Sequence, residues 1–362
     1  MGTLGAVLAV VVTFSVILVA AALVLARCYA SPSRASEIHR APTRDGWLIA
    51  LHRYRPASPV PGREPVLMCH GMISNRASLD LDEDVSMACF LRDAGFDVWV
   101  MELRARGESR RDPSRRGGRS LLRLGFDWSV DEFVREDLPA AVKHVLAATG
   151  APALHWVGHS MGGMILCAHA AGGDTSWFRS AVMIDSPVHF APLRMVTWPA
   201  RLYARVIPVV PVIVFKPVFT LLYWLIPEKV LLDRLSLGKR TLLRIMHNGL
   251  LNLGSSRVLL HMSRVLADGR FRSFDRSVDY EEGPHRMTFP MMVLRASAGR
   301  IPEACVKHAY DLSPSPDRTY VRCGRGEGFS IDHNHFTLVI GREAPVEIFP
   351  LIAGWLLRHS SA

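Results

Sequence analysis

Short, uninterrupted apolar runs alternate along this chain with longer stretches of helical spacing. Residues 47–54 read as a strand, followed by a Pro-rich turn over 56–65 and the apolar run 66–69. The segment 79–94 has helical spacing and stops at Gly95, and 96–103 is apolar again. Residues 130–149 predict a helix closed by Gly150, then come a short strand over 153–157, a Gly-rich turn, a small-residue helix over 161–171 and a strand over 181–184. Strand and helix alternating in this way predict a mostly parallel sheet covered by helices on both faces. The alternation stops between 188 and 286 and resumes at 291–295 and 319–323, with a last helix over 344–358.

The interruption is rich in Pro, Trp, Tyr and long aliphatics. Within it, 206–226 is apolar apart from Lys216, but Pro208, Pro211 and Pro217 make it a poor membrane span. Residues 188–286 therefore read as a helical cap, suited to lining an apolar pocket or touching a lipid interface. The flanks, 39–187 and 287–362, read as two parts of one core.

Residues 4–26 carry no charge and no Pro. At 1.5 Å per residue the run reaches roughly 35 Å, enough for a bilayer core of about 30 Å. Nothing basic precedes it, whereas Arg27, Arg34, Arg40 and Arg44 follow. The expectation is a single-pass transmembrane helix over 4–26, a linker over 27–38 and the remainder in the cytoplasm; the alternative is a signal peptide ending near Ala30.

Composition changes this picture little. Of 362 residues, 49% are hydrophobic and 21% charged, which excludes a disordered chain. The net charge is +10, and eight Arg fall between 104 and 123 (Arg104, Arg106, Arg110, Arg111, Arg115, Arg116, Arg119, Arg123). No zinc spacing, RNA-binding signature or basic heptad accompanies them, so nucleic acid is not an expected partner. A solvated loop or a surface for anionic lipid headgroups is. The six Cys are scattered, four of them within apolar runs, which argues against a disulfide framework.

The chemistry concentrates in Gly158-His159-Ser160-Met161-Gly162-Gly163. A G-x-S-x-G pattern is weak alone, but here it follows a strand and opens a helix, as a nucleophile elbow requires. The helix start directs backbone N–H groups and a positive dipole at developing negative charge. His70-Gly71 follows the strand 66–69, and such a turn brings the Met72 N–H toward the nucleophile. With the Met161 N–H it would form an oxyanion hole.

Outside its cap, the sequence from about Arg40 to Arg358 resembles the α/β-hydrolase superfamily, and within it the acid-lipase branch and its bacterial relatives. Three segments carry the closer likeness. They are Asp45-Gly46 with Leu48 and His52-Arg53-Tyr54; Phe126-Asp127-Trp128-Ser129 running on to Asp137-Leu138-Pro139-Ala140; and Asn334-His335-Phe336 with Gly341 and Ala344-Pro345. The resemblance implies an α/β-hydrolase fold with the cap inserted after its sixth strand. It also implies hydrolysis of carboxylic esters, often lipid acyl esters, without a cofactor. By the same pattern His335 is the late base, with His333 as competitor. Asp332-His333-Asn334-His335 has no partner motif that would make it a metal site.

One position departs from the family. In Ala296-Ser297-Ala298-Gly299-Arg300, Gly299 stands where that branch carries the acid of its triad. Asp185, at the end of the strand 181–184, offers a replacement, since some α/β-hydrolases supply their acid there. Glu303 and Asp332 are further candidates. Two readings follow: a membrane-anchored serine esterase or lipase acting on an apolar acyl ester, or a hydrolase fold kept as a membrane-tethered binding protein after losing its acid.

Overall fold

In a computed structural model of the protein, residues 27–115, 127–193 and 254–361 are described throughout, with parts of 5–25 and 197–249. Among the described residues the main sheet has nine strands, eight of them on one path: β1 (Glu37–Pro42), β2 (Trp47–Tyr54), β3 (Val66–Cys69), β4 (Val98–Met101), β5 (Leu154–His159), β6 (Phe178–Ile184), β7 (Met291–Ala296) and β8 (Arg318–Cys323). Their spatial order is β1-β2-β4-β3-β5-β6-β7-β8. The β1–β2 and β2–β4 pairs are antiparallel and all later pairs are parallel. Arg110–Arg111 adds a short antiparallel pairing to β2.

Strands β2 to β7 are buried on both sides, whereas the edge strands β1 and β8 are only partly buried, and side chains are sorted by the two-residue repeat. Leu67, Cys69, Trp99, Met101, Trp156, Met183 and Val293 face one core layer, while Val66, Met68, Val98, Val100, Val157, Val182 and Leu294 face the other. Helices α2 (Leu138–Thr149), α3 (Met161–Ala170) and α5 (Glu303–Leu312) cover the first layer. Helices α1 (Met87–Asp93) and α6 (Phe349–His359) cover the second. In the insertion, α4 (Ser256–Asp268) packs Val258, Met262 and Val265 on the first layer. Because β3 lies between β4 and β5, strand order reverses there, which makes the carboxyl ends of β3 and β5 the place where open α/β sheets put their sites.

Local chemistry moved several expected boundaries. The 79–94 helix shrinks to Met87–Asp93 because Asp80 is buried, bonded to Tyr54, Arg34, Arg76 and Ser86, and Ser86 then caps the helix through the Cys89 N–H. The 130–149 helix contains a π turn, Phe133–Asp137, just before Pro139. Strand β1 begins inside the stretch read as a linker, with His39, Arg40 and Glu37 too polar to signal a strand.

Most of the 4–26 segment, most of 206–226, and Arg116, Arg119 and Arg123 lie outside the described residues. Among the described residues no helix is long and apolar enough to cross a membrane. The Arg-rich loop divides in two. Arg104 is buried between Asp45 (2.6 Å) and Asp137 (2.7 Å), and Arg106 is buried as well, so neither serves a headgroup surface; Arg110 and Arg111 are exposed.

Candidate active site

The end of β5 and the start of α3 form a sharp elbow. Ser160 stands at its apex with φ 54° and ψ −113°, a conformation that costs a non-glycine residue of order 1–3 kcal/mol. Flanking glycines make it sterically possible. A Cβ at Gly158 would fall 2.5 Å from the Gly162 carbonyl carbon, and one at Gly162 would fall 2.3 Å from the Cys69 oxygen. Trp156 Nε1 donates to the Gly162 carbonyl (3.2 Å) and the Ser160 N–H donates to the Ile184 carbonyl (2.9 Å), holding the elbow from below.

The turn after β3 is fixed by one imidazole. His70 is fully buried; its Nδ1–H donates to the Gly71 carbonyl (2.8 Å) and its Nε2 accepts the Leu103 N–H (3.2 Å). Burial pushes its pKa down to about 4, so the ring is neutral. Gly71 then passes close to the elbow, its missing Cβ site 3.4 Å from Ser160 Cβ. Met72, next in the chain, has its carbonyl held by the buried Arg106 (Nη2, 2.9 Å). That bond orients the 72–73 peptide beside the turn. The Met161 N–H belongs to the first turn of α3, where donors have no partner within the helix.

Next to the Ile184 carbonyl that accepts the Ser160 N–H, Asp185 Oδ2 lies 2.7 Å from His335 Nδ1. The carboxylate only accepts, so Nδ1 carries the hydrogen and Nε2 is left as a base. Asp185 is 1% exposed and has φ 46°, a second left-handed non-glycine residue in the same site. Three contacts over-determine it: its N–H donates to the Leu294 carbonyl (2.7 Å), its Oδ1 accepts the Ala296 N–H (3.2 Å), and its Oδ2 meets His335.

The other candidates point elsewhere. His333 is buried, with Nε2 2.9 Å from Glu347, and Asp332 accepts from Ser297 Oγ and the Arg325 N–H, both at 3.1 Å. Glu303 opens α5 and is exposed. The sequence reading missed two residues, His159 and Arg106. His159 is buried beside His335, with ring centroids 4.6 Å apart and its Nε2 3.0 Å from the His335 carbonyl oxygen. Burial and the neighbouring imidazole hold its pKa well below the ordinary value. It sits within the G-x-S-x-G stretch, but no local pattern signals its reach to residue 335.

The family model for the alpha/beta hydrolase fold matches residues 64–206. Lipase 1 of Drosophila melanogaster is 36% identical over 128 residues, covering 35% of this chain and 28% of that protein. Triacylglycerol lipase 2 of Arabidopsis thaliana is 34% identical over 166 residues, covering 42% and 38%. The chain thus spans less than half the length of the curated relatives it matches. A solved monoacylglycerol lipase of Paleococcus ferrophilus has the same fold, with TM-score 0.56 at 15% identity, over 86% of this chain and 99% of that one. The chain has the alpha/beta hydrolase fold and is a distant homologue of acid lipases.

In this acid-lipase homologue Gly299 and the carboxylate that meets the histidine are neighbours in space. A Cβ at Gly299 would lie 3.6 Å from Asp185 Oδ2. Position 299 thus lies next to the carboxylate oxygen that meets His335.

Proposed function

We propose that this protein is a membrane-anchored serine hydrolase that cleaves carboxylic esters of apolar acyl groups, lipid esters above all, through an acyl-enzyme. The observation that carries the reading is the His335–Asp185 pair at the end of β6, where the preceding Ile184 carbonyl accepts the N–H of the strained elbow serine and His159, next to that serine, packs against His335. Ser160 Oγ attacks the acyl carbonyl while His335 Nε2 takes its proton, and the Met72 and Met161 N–H groups hold the oxyanion. The tetrahedral intermediate collapses, the C–O bond to the alcohol breaks, and His335 returns the proton to the leaving oxygen. Water, deprotonated by the same Nε2, then attacks the acyl carbonyl and releases the acid and Ser160. No cofactor takes part.

The names of the relatives, lipases and a sterol esterase of Saccharomyces cerevisiae, support a lipid substrate. So do Trp198 and Leu202, which present large apolar side chains at the surface of the cap. The anchor is read from the uncharged run 4–26, in which Val16, Ile17 and Val24 are helical and exposed, and the basic residues after it favour a cytoplasmic catalytic domain. Just beyond that run, Arg76 donates to the Ser31 carbonyl (2.7 Å), and Asn248 of the cap bonds both the Ser31 N–H (3.2 Å) and the Tyr29 carbonyl. Asn75, three residues past Met72, donates to the Asn248 carbonyl. The end of the apolar run is thereby tied to the cap and the oxyanion turn, which suits a substrate taken from a bilayer.

The test is hydrolysis of p-nitrophenyl esters of increasing acyl length by the detergent-solubilised full-length protein, beside Ser160→Ala. Turnover that rises with chain length and falls by roughly 10⁶-fold in the variant is expected. Equal rates for two folded proteins would leave a binding protein.

A further inference from the structure

A second cluster of chemically able side chains lies outside the Ser160 site, where both ends of the 188–286 insertion rejoin the core. His189 follows the end of β6, Glu281 lies in the 3₁₀ helix Tyr280–Arg286, and His308 is on α5. One nitrogen from each imidazole and one carboxylate oxygen all lie within 4.8 Å of one another. Glu281 is buried. Its Oε1 accepts the Phe271 N–H at 2.8 Å, which leaves Oε2 directed at His189 Nδ1, 3.2 Å away. The two imidazoles are half-buried and stack at 22° with centroids 4.8 Å apart. The backbone N–H groups of Val188 (2.8 Å) and His189 (3.3 Å) both donate to the Cys305 carbonyl, one turn before His308, so His189 and His308 are referred to the same helix.

We propose that His189, Glu281 and His308 form a binding site for a divalent metal ion of the zinc class, one that pins both ends of the cap to α5. Two imidazoles and one carboxylate are a three-ligand set that zinc uses with a fourth, open position. At bond lengths of about 2.0–2.2 Å, tetrahedral ligand atoms sit roughly 3.4 Å apart. The His189–Glu281 pair already lies near that spacing at 3.2 Å, and the half-exposed His308 ring, whose nitrogen is within 4.8 Å of both, would turn out of its stack to bind. The Phe271 N–H on the far carboxylate oxygen is the kind of outer contact that fixes a ligating carboxylate. A simple His–Glu hydrogen bond would need neither that contact nor a second imidazole. The nitrogen-rich set disfavours Mg²⁺ and Ca²⁺, which take oxygen. The ion would act on the cap's hinges, since none of the three residues belongs to the Ser160 constellation.

The experiment uses tag-free full-length protein in detergent, stripped with a chelator, and follows zinc binding at neutral pH by competition with a chromophoric chelator. One equivalent is expected, unaffected by excess Mg²⁺ or Ca²⁺, with cobalt giving the intense visible absorption of a tetrahedral site. His189→Ala, His308→Ala and Glu281→Gln should each weaken binding by about tenfold or more. His285→Ala, an exposed histidine on the same 3₁₀ helix paired with Glu282, should leave it unchanged. Zinc should raise the Tm of the wild type and of His285→Ala but not of the three ligand variants. Failure to bind zinc, or equal binding by His189→Ala and His308→Ala, would overturn the proposal. Glu281→Gln keeps the oxygen that meets Phe271, and the two histidine variants decide the matter if it fails to fold. Because binding and Tm are read without substrate, the outcome is independent of whether the protein hydrolyses esters.

Discussion

The two sides of the site are built by different means. On the nucleophile side, one contiguous stretch does nearly everything: Gly158 and Gly162 clear the space, Ser160 takes the strained backbone, and Met161 starts the helix. On the base and acid side, His335 and Asp185 stand 150 residues apart in sequence and 2.7 Å apart in space. The first side is fixed by backbone geometry, which tolerates no substitute. The second needs only a carboxylate oxygen at one point; Asp185 after β6 supplies it, and a Cβ at position 299 after β7 would lie 3.6 Å from that oxygen. Glycine at 299 is thus compatible with a complete site, because what the imidazole requires is a position and not a residue number.

The largest effect that bears on this contrast comes from moving the acid back. Asp185→Asn should lower kcat by about 10⁴-fold, as loss of the acid does in a related triad, with little change in KM. Adding Gly299→Asp to that variant should recover part of the loss, since the new side chain starts 3.6 Å from the vacated oxygen, although Ala296 crowds its Cβ at 3.1 Å. Steady-state kinetics of the two variants check this, and a double variant no better than the single one would break the equivalence of the two loops.

Acid should strain the nucleophile side. His70 is neutral when folded, with a pKa near 4, against about 6.5 in the unfolded chain. The unfolded state therefore binds the extra proton, and this contribution is complete above pH 6.5 and drains away as pH falls through about 4, by about 3 kcal/mol in all. His155, at the start of β5 and away from the site, is shifted to about 4 as well, also by burial. Urea unfolding across this window should show both losses. His70→Asn and His155→Asn should each flatten the slope, but only His70→Asn should also reduce kcat at neutral pH, because only His70 orients the turn carrying Met72.

A third effect is smaller in energy but sharper in location. Gly158→Ala forces a methyl group to within 2.5 Å of the Gly162 carbonyl carbon, where only backbone could yield. A loss of about 1–3 kcal/mol in unfolding free energy is expected, with kcat falling because the elbow must open to accommodate it.

These differences explain what was legible in the sequence. The central strands could be read because strands buried on both faces are near-continuous apolar runs, and the elbow because its requirements are local. Strand β1 could not, since an edge strand carrying Glu37, His39 and Arg40 lacks any apolar signature. The 79–94 helix was overextended because nothing local shows that Asp80 will be buried among Tyr54, Arg34, Arg76 and Ser86. Asp185 could be named as a candidate but not chosen, because the choice depends on contacts to Leu294, Ala296 and His335. Arg106 looked like part of a basic loop until its bond to the Met72 carbonyl separated it from the exposed Arg110 and Arg111. His189, Glu281 and His308 carry no spacing that unites them; the two returns of the cap do.

The smallest expected effects test whether the acid side really has one occupant. Glu303 and Asp332 are exposed, and the Asp332 carboxylate is already engaged by Ser297 and the Arg325 N–H, which hold its pKa below the ordinary range. Neither carboxylate is hydrogen-bonded to His335, whose Nδ1 is taken by Asp185. Glu303→Gln and Asp332→Asn should therefore change kcat/KM by no more than about twofold, the ordinary range for surface substitutions. Measured in the Asp185→Asn background, they should be equally silent. A further loss of an order of magnitude from Asp332→Asn there would show that the 332–335 loop swings to replace a missing acid, and the contrast between a rigid nucleophile side and a merely positional acid side would then extend to a third loop.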